Sequence, residues 1–206
     1  AIYERAARGE FGEPRYAHAR LNNTLFVPMK MLSWARHTEL PHWLFTHEVD
    51  RVRWLFGKEA TRVYAVSNGG VLREKGLDVE DLYHATVEFE GGAIATFESL
   101  RFLTESMQSV AQRYTHQAYS KAFVVIDHTQ PVIQVATPEK FATPGFLAGS
   151  MRGRPWGTVY DAVAQFAEDV LAGRPTVVSP RDGLQVTRIV NAIIESACHR
   201  APVDLG

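Results

Sequence analysis

From Arg15 onward the polar residues Tyr16, His18 and Arg20 alternate with Ala17, Ala19 and Leu21, the period-two pattern of a strand with one covered face. The alternation returns more strongly at Leu82–Glu90, where Tyr83, Ala85, Val87 and Phe89 face one way and His84, Thr86 and Glu88 the other. Gly91-Gly92 separates this run from a second one, Ala93–Ser99. Two such runs joined by Gly-Gly predict a tight hairpin. Further strands are predicted at Arg62–Ser67, Ser109–His116, Ala118–Asp127 and Val132–Ala136. Within Phe123-Val124-Val125-Ile126 both faces are bulky and apolar. An antiparallel sheet with one solvated face would show cleaner alternation, so this region predicts a covered second face.

Helical periodicity marks the two ends and one stretch between them. Ala1–Arg8 reads as a helix stopped by Gly9, followed by a turn over Glu10–Pro14. Leu25–Phe45 is apolar but irregular, broken by Pro28 and Pro41, and predicts a loop with short helical turns. Thr46 is the expected N-cap of a helix whose stripe is Val49, Val52, Leu55 and Phe56 and whose stop is Gly57. Asn68–Glu80 and Phe141–Gly157 read as loops. Thr158 and Asp161 form an expected capping box ahead of Val159, Ala162, Val163, Phe166 and Val170, with Gly173 as the stop. Ser179-Pro180-Arg181-Asp182 caps the last helix, whose stripe is Leu184, Val186, Val190, Ile193, Ile194 and Ala197. A helix, a run of strands and two closing helices predict an α+β fold: one domain over residues 1–206, an open, mostly antiparallel sheet with helices packed on one face.

Charge narrows the partners. Lys plus Arg number 22 against 23 Asp plus Glu, a balance that offers neither a nucleic-acid footprint nor a polybasic membrane patch. No long apolar run suggests a membrane span. The lone Cys198 excludes an internal disulfide and suits a reducing cytoplasm. Gly69-Gly70 and Gly91-Gly92 lack a strand–GxGxxG–helix context, so no Rossmann-type nucleotide site is expected in these residues.

The segment His42–Asp50 carries the most promising chemistry. His47 falls in the first turn of the Thr46 helix, and Asp50, three residues on, shares its face. The positive end of the helix dipole favours neutral imidazole, the form a general base needs. Asp50 would orient the ring or complement the dipole. The plainer alternative is a first-turn histidine beside an ordinary capping carboxylate. A metal site from His37, His42, His47 and Glu48 is a second alternative, but five-residue spacing matches no ligand pattern on a helix. His84, on the polar face of the hairpin, lines a site, meets a partner subunit or is simply solvated. Arg152 and Arg154 flank a glycine ahead of Trp156 and read as an anion site or a solvated loop. Cys198 has no base beside it.

Taken in order, four segments resemble the C-terminal domain of the Gfo/Idh/MocA oxidoreductases. Arg8-Gly9-Glu10-Phe11-Gly12-Glu13-Pro14-Arg15 is similar to the segment that leads into that domain. His47-Glu48-Val49-Asp50-Arg51-Val52-Arg53-Trp54-Leu55-Phe56-Gly57 is similar to its HxxDxxRWLxG helix. Asp81 with Ala85–Ala93 resembles its hairpin, and Ser179–Leu205 its closing helix. The likeness runs from about Arg8 to Leu205.

The resemblance implies a two-domain enzyme. A Rossmann domain binding NAD or NADP would come first and is absent from this chain, which supplies the substrate and oligomerisation domain. It also implies oxidation or reduction of a sugar, inositol or related polyol or keto compound, and a homo-oligomer formed through the sheet face. The family's catalytic histidine falls on His47. Its catalytic lysine lies in a Glu-Lys-Pro segment that neither Glu74-Lys75-Gly76 nor Glu139-Lys140-Phe141 matches. Four residues before the histidine the family often has aspartate, where this chain has Trp43, a substrate-pocket candidate with Asp50 and His84. The competing expectation is a non-catalytic module that pairs subunits through its sheet.

Overall fold

In the computed structural model, which describes residues 2–107, 109–129, 135–142 and 148–206, the alternating runs become strands of one sheet. In chain order the elements are α1 (Ile2–Ala7), β1 (Pro14–Asn23), α2 (Leu40–Trp43), α3 (Phe45–Phe56), β2 (Ala60–Asn68), α4 (Val71–Glu74), β3 (Leu82–Phe89), β4 (Ile94–Leu100), β5 (Ala111–Tyr119), β6 (Phe123–Asp127), β7 (Val135–Ala136), β8 (Phe141–Ala142), β9 (Ala148–Met151), β10 (Arg154–Gly157), α5 (Thr158–Leu171), α6 (Pro180–His199) and β11 (Val203–Asp204). They divide into two compact units: Ala1–Thr129 with Leu184–Gly206, and Gln130–Gly183.

The first unit is built on the sheet β11-β2-β3-β4-β1-β5-β6, in which β1 and β4 run parallel and every other neighbouring pair is antiparallel. The Gly-Gly hairpin forms as expected. Gly91 and Gly92 take φ of 79° and 80°, a left-handed turn that a side chain would strain. Small residues Ala17, Ala19, Ala65, Ala85 and Ala95 line the covered face, and α3 and α6 pack onto it. Phe45 of α3 meets Phe97 of β4 with ring centroids 6.0 Å apart. Ile189, Val190 and Ile193 supply the α6 side of the same core. Ser196 pins α6 to the sheet: its Oγ accepts from the Ala65 amide at 2.9 Å and donates to the Ala201 carbonyl at 2.6 Å. The fold is α+β, with α3 and α6 on one side of a mostly antiparallel sheet.

The other face carries Tyr16, Tyr64, Val66, Ile94, Phe123 and Val125, all exposed, together with His18, His84 and His116. Phe123 is 64% and Val125 49% exposed, while their neighbours Val124 and Ile126 are half-buried on the core side. Both faces of β6 are therefore apolar, as its sequence predicts.

Several boundaries differ from the sequence expectation. Thr46 is not an N-cap. Leu44, already in right-handed helical conformation, links α2 to α3, and the Thr46 hydroxyl bonds back to the Trp43 carbonyl at 3.1 Å. Pro41 sits in the first turn of α2, where its missing N–H costs nothing, so it starts that helix rather than breaking it. The break between the fifth and sixth strands lies at Ser120-Lys121, not at Gln117, because Gln117 remains in register opposite Ala17 and Val124. The Asn68–Glu80 loop contains the single turn α4 and a small core of Leu72, Leu77 and Val79. Of the expected strand Val132–Ala136, residues 132–134 lie outside the described residues; Val135–Ala136 pairs with β8.

In the second unit the expected loop before Thr158 contains a hairpin, β9–β10, turned at Arg152-Gly153 with φ of 52° and 77°. Those two left-handed residues are the geometry of a two-residue hairpin turn, which Arg-Gly signals less clearly than Asn-Gly. Gly157 rather than Thr158 is the N-cap of α5, with no side-chain cap. Ser179–Asp182 does form the predicted cap, and the structure makes it reciprocal: the Asp182 carboxylate accepts from the Ser179 amide at 2.8 Å, and Ser179 Oγ from the Asp182 amide at 3.2 Å. The α5 stripe of Val159, Val163, Phe166 and Val170 is exposed rather than buried.

Candidate functional site

The α2–α3 junction fixes His47. The Leu44 amide bonds to the Leu40 carbonyl at 3.0 Å, so the helical hydrogen bonding begins at Leu40, ahead of α3. His47 is thereby one helical turn past Trp43, whose indole meets the imidazole edge-on with centroids 6.0 Å apart. Trp34 in turn meets Trp43 at 5.0 Å, again edge-on. Trp43 and His47 stand at the rim of a cavity of about 190 Å³. Its wall is apolar, formed by Leu21, Val27, Leu44 and Val110, with Asn23 the other polar residue.

His47 has its pKa held below the ordinary histidine value. Burial is the main cause and the Arg113 guanidinium the next; Glu48 and Asp50 act in the opposite direction. The direction is the one expected; burial and a cation are its causes, and the helical run begins a turn earlier, at α2. Among the described residues nothing hydrogen-bonds the imidazole ring, which leaves both nitrogens for a ligand.

Beneath His47 lies a cluster that the sequence pattern did not reveal. Glu48 is fully buried. Its carboxylate accepts from Arg51 Nη2, from the Thr115 hydroxyl at 3.1 Å and from Arg113 Nε at 2.5 Å. Arg51 also donates to the Thr115 oxygen. The buried carboxylate is tolerated there because the two guanidiniums and the Thr115 hydroxyl answer it, Arg113 staying partly exposed. Burial lowers the Arg51 pKa, with Glu48 opposing. His128, at the end of β6, is also pushed down by burial and by Arg113 and Arg51. The residue pattern gave no sign of this cluster because Arg113 and Thr115 are sixty-odd residues from Glu48; only the β5 register brings them together.

The remaining candidates separate. Asp50 stays on α3 near His47, half-buried. His84 lies on the far face of the sheet, opposite Glu98 and Val66, away from the helix layer that carries His47. The proposed metal set does not assemble. His42 Nε2 pairs with Asn191 Oδ1 at 3.0 Å, Glu48 is committed to its arginines, and no three potential ligands gather among the described residues. Arg152 and Arg154 belong to the β9–β10 hairpin of the second unit, and Cys198 is exposed.

The dinucleotide that the resemblance implies does not fit the described residues of this chain. Gly69-Gly70 lead into the single turn of α4, and Gly91-Gly92 form a hairpin turn. Neither opens a helix long enough to cradle a pyrophosphate. Among the described residues no helix is long and apolar enough to cross a membrane.

Comparison with known proteins gives a consistent picture. In the curated set, residues of this chain match an uncharacterized oxidoreductase, YrbE, of Bacillus subtilis at 24% identity over 161 residues, 77% of this chain and 46% of that protein. Among solved structures, myo-inositol 2-dehydrogenase of Lactobacillus plantarum superposes with a TM-score of 0.77 at 17% identity, over 99% of this chain and 60% of that one. Scyllo-inositol dehydrogenase of Lactobacillus casei, solved with NAD(H) and scyllo-inositol, gives 0.71 at 17% identity, over 98% and 59%. The chain thus spans about half to three fifths of the length of these relatives. The model of the oxidoreductase family's C-terminal alpha/beta domain matches residues 4–205, and with that match the chain belongs to the Gfo/Idh/MocA oxidoreductase family as its C-terminal domain.

Proposed function

We propose that this chain is the substrate-binding part of a cytoplasmic NAD- or NADP-dependent dehydrogenase that acts on a sugar, inositol or related polyol or keto compound. The observation that carries the reading is His47: a histidine whose pKa is lowered by partial burial and by Arg113, free of hydrogen bonds to described residues, at the rim of a cavity. A neutral imidazole there accepts the hydroxyl proton as an alcohol is oxidised and returns it in the reverse direction. Trp43 shapes the pocket in place of the family's aspartate. An indole beside the base offers an apolar face to the C–H side of a ring, leaving the hydroxyls to polar groups. The nicotinamide cofactor supplies hydride chemistry and would be held by a domain outside these residues. The inositol dehydrogenases among the structural neighbours support the substrate class.

The open face of the sheet, with exposed Ile94, Phe123 and Val125, would join copies of the chain into a homodimer or tetramer. A purely structural pairing module is the second reading, favoured by this same face. Incubating the full-length protein with NAD or NADP and a panel of inositols and aldoses tests the first reading. Substrate-dependent reduction of either cofactor supports it; none across the panel leaves the pairing module.

A further inference from the structure

We infer that Arg113 makes the His47 cavity selective for a substrate that carries a carboxylate, such as a uronate or other sugar acid, over its neutral counterpart. The inference rests on the proposed placement of substrate beside His47. Ala111, two residues before Arg113 on the same face of β5, lines the cavity, and so does Leu21, the residue opposite Arg113 across the strand pair. Arg113 is therefore the next residue on the same face of β5 beyond the cavity wall, and its charge acts on His47.

Its guanidinium is only partly used. Nε–H is committed to Glu48, and that is the one hydrogen bond its side chain makes among the described residues. The side chain is 32% exposed, whereas Glu48 beneath it is 0% exposed. Glu48 is already served by Arg51 and Thr115, so it does not need the rest of the Arg113 fork. The two Nη groups remain. Two parallel N–H donors on a rigid plane match the two oxygens of a carboxylate, and the planar fork is what makes arginine specific for such groups. Glu48 also fixes the guanidinium in place, so little ordering is needed when a ligand arrives. A neutral polyol gains much less from such a donor pair than an anion does.

Titration calorimetry of the full-length protein with D-glucuronate, D-glucose and inorganic phosphate provides the test, on the natural protein and on R113Q and R113K. The natural protein is expected to bind glucuronate roughly tenfold or more tightly than glucose, as a charge-assisted pair implies, and more tightly than phosphate. In R113Q the glucuronate-to-glucose ratio should fall to near one, with R113K between. If R113Q does not fold, the ratio in R113K decides and must still fall. A ratio near one in the natural protein, a ratio unchanged in the variants, or no detectable glucuronate binding overturns the inference. Phosphate binding as tight as glucuronate overturns it too, by assigning Arg113 to a free anion. Cofactor reduction is followed separately. Absence of turnover with both sugars counts against the dehydrogenase reading, while the binding ratio still decides the role of Arg113.

Discussion

The Nε–H of Arg113 meets the carboxylate of Glu48 at 2.5 Å, tying the first half of β5 to the residue that follows His47 on α3. One contact thus links the strand register, the burial of a charge and the electrostatics of the candidate base. Its consequences can be separated by mutation.

Removing the carboxylate should cost stability. Glu48→Ala leaves Arg51 and Arg113 facing each other without their shared anion, and breaking a buried pair in this way costs about 3 kcal/mol or more. For a protein of this size the melting temperature should fall by on the order of 10 °C. Thermal unfolding of the variant beside the natural protein checks this. An unchanged midpoint would show that the cluster is not a structural tie.

The same contact sets a pH dependence. The folded-state pKa of His47 lies below the ordinary histidine value, so the neutral base persists as pH falls and is lost only below that value. The acid limb of kcat/KM for alcohol oxidation should accordingly lie on the acid side of an unperturbed histidine. Removing the neighbouring cation relieves part of the lowering, so in R113Q the limb should move to higher pH. A pH–rate profile of both proteins checks the sign. A limb that moves down, or not at all, would show that Arg113 does not act on His47.

Association through the open face is the third expected outcome. A stable interface of this kind buries on the order of 2,000 Å² in total, and Phe123, Val125 and Ile94 offer the apolar centre. Light scattering after size exclusion should give a dimer or tetramer, and F123E with I94E should shift it to monomer. A monomeric natural protein at tens of micromolar would contradict the account.

How far the sequence disclosed this arrangement depended on the range of the interactions. The β3–β4 hairpin was legible because Gly91-Gly92 and the alternation around it are local, and so was the Ser179–Asp182 cap. The Thr46 cap was misread because Thr46 also suits a turn inside a helical run, and Leu44 carries the helix through. His47 stood out through its first-turn position beside Asp50 and again through family likeness; its neighbour Arg113 did not, because nothing near Arg113 in sequence marks it. His84 lies on the hairpin's polar face as expected, but only the helix layer shows which side of the sheet holds the cavity.

Expressed alone, the 206-residue chain should bind neither NAD nor NADP appreciably, since no glycine-rich turn among its described residues opens onto a helix able to hold a pyrophosphate. Calorimetric titration with both cofactors measures it. Micromolar affinity for either would require a dinucleotide site within these residues.

The central claim is that His47 moves the substrate proton, and substitution in the full-length enzyme tests it most directly. His47 keeps part of its ring exposed at the cavity rim and makes no hydrogen bond to a described residue, so His47→Ala should leave the melting temperature nearly unchanged. Loss of a positioned acid/base should lower kcat by roughly a hundred-fold. Steady-state kinetics and thermal unfolding on the same preparation decide the matter. A folded variant with kcat reduced to that degree supports the assignment, and one that turns over at the natural rate contradicts it.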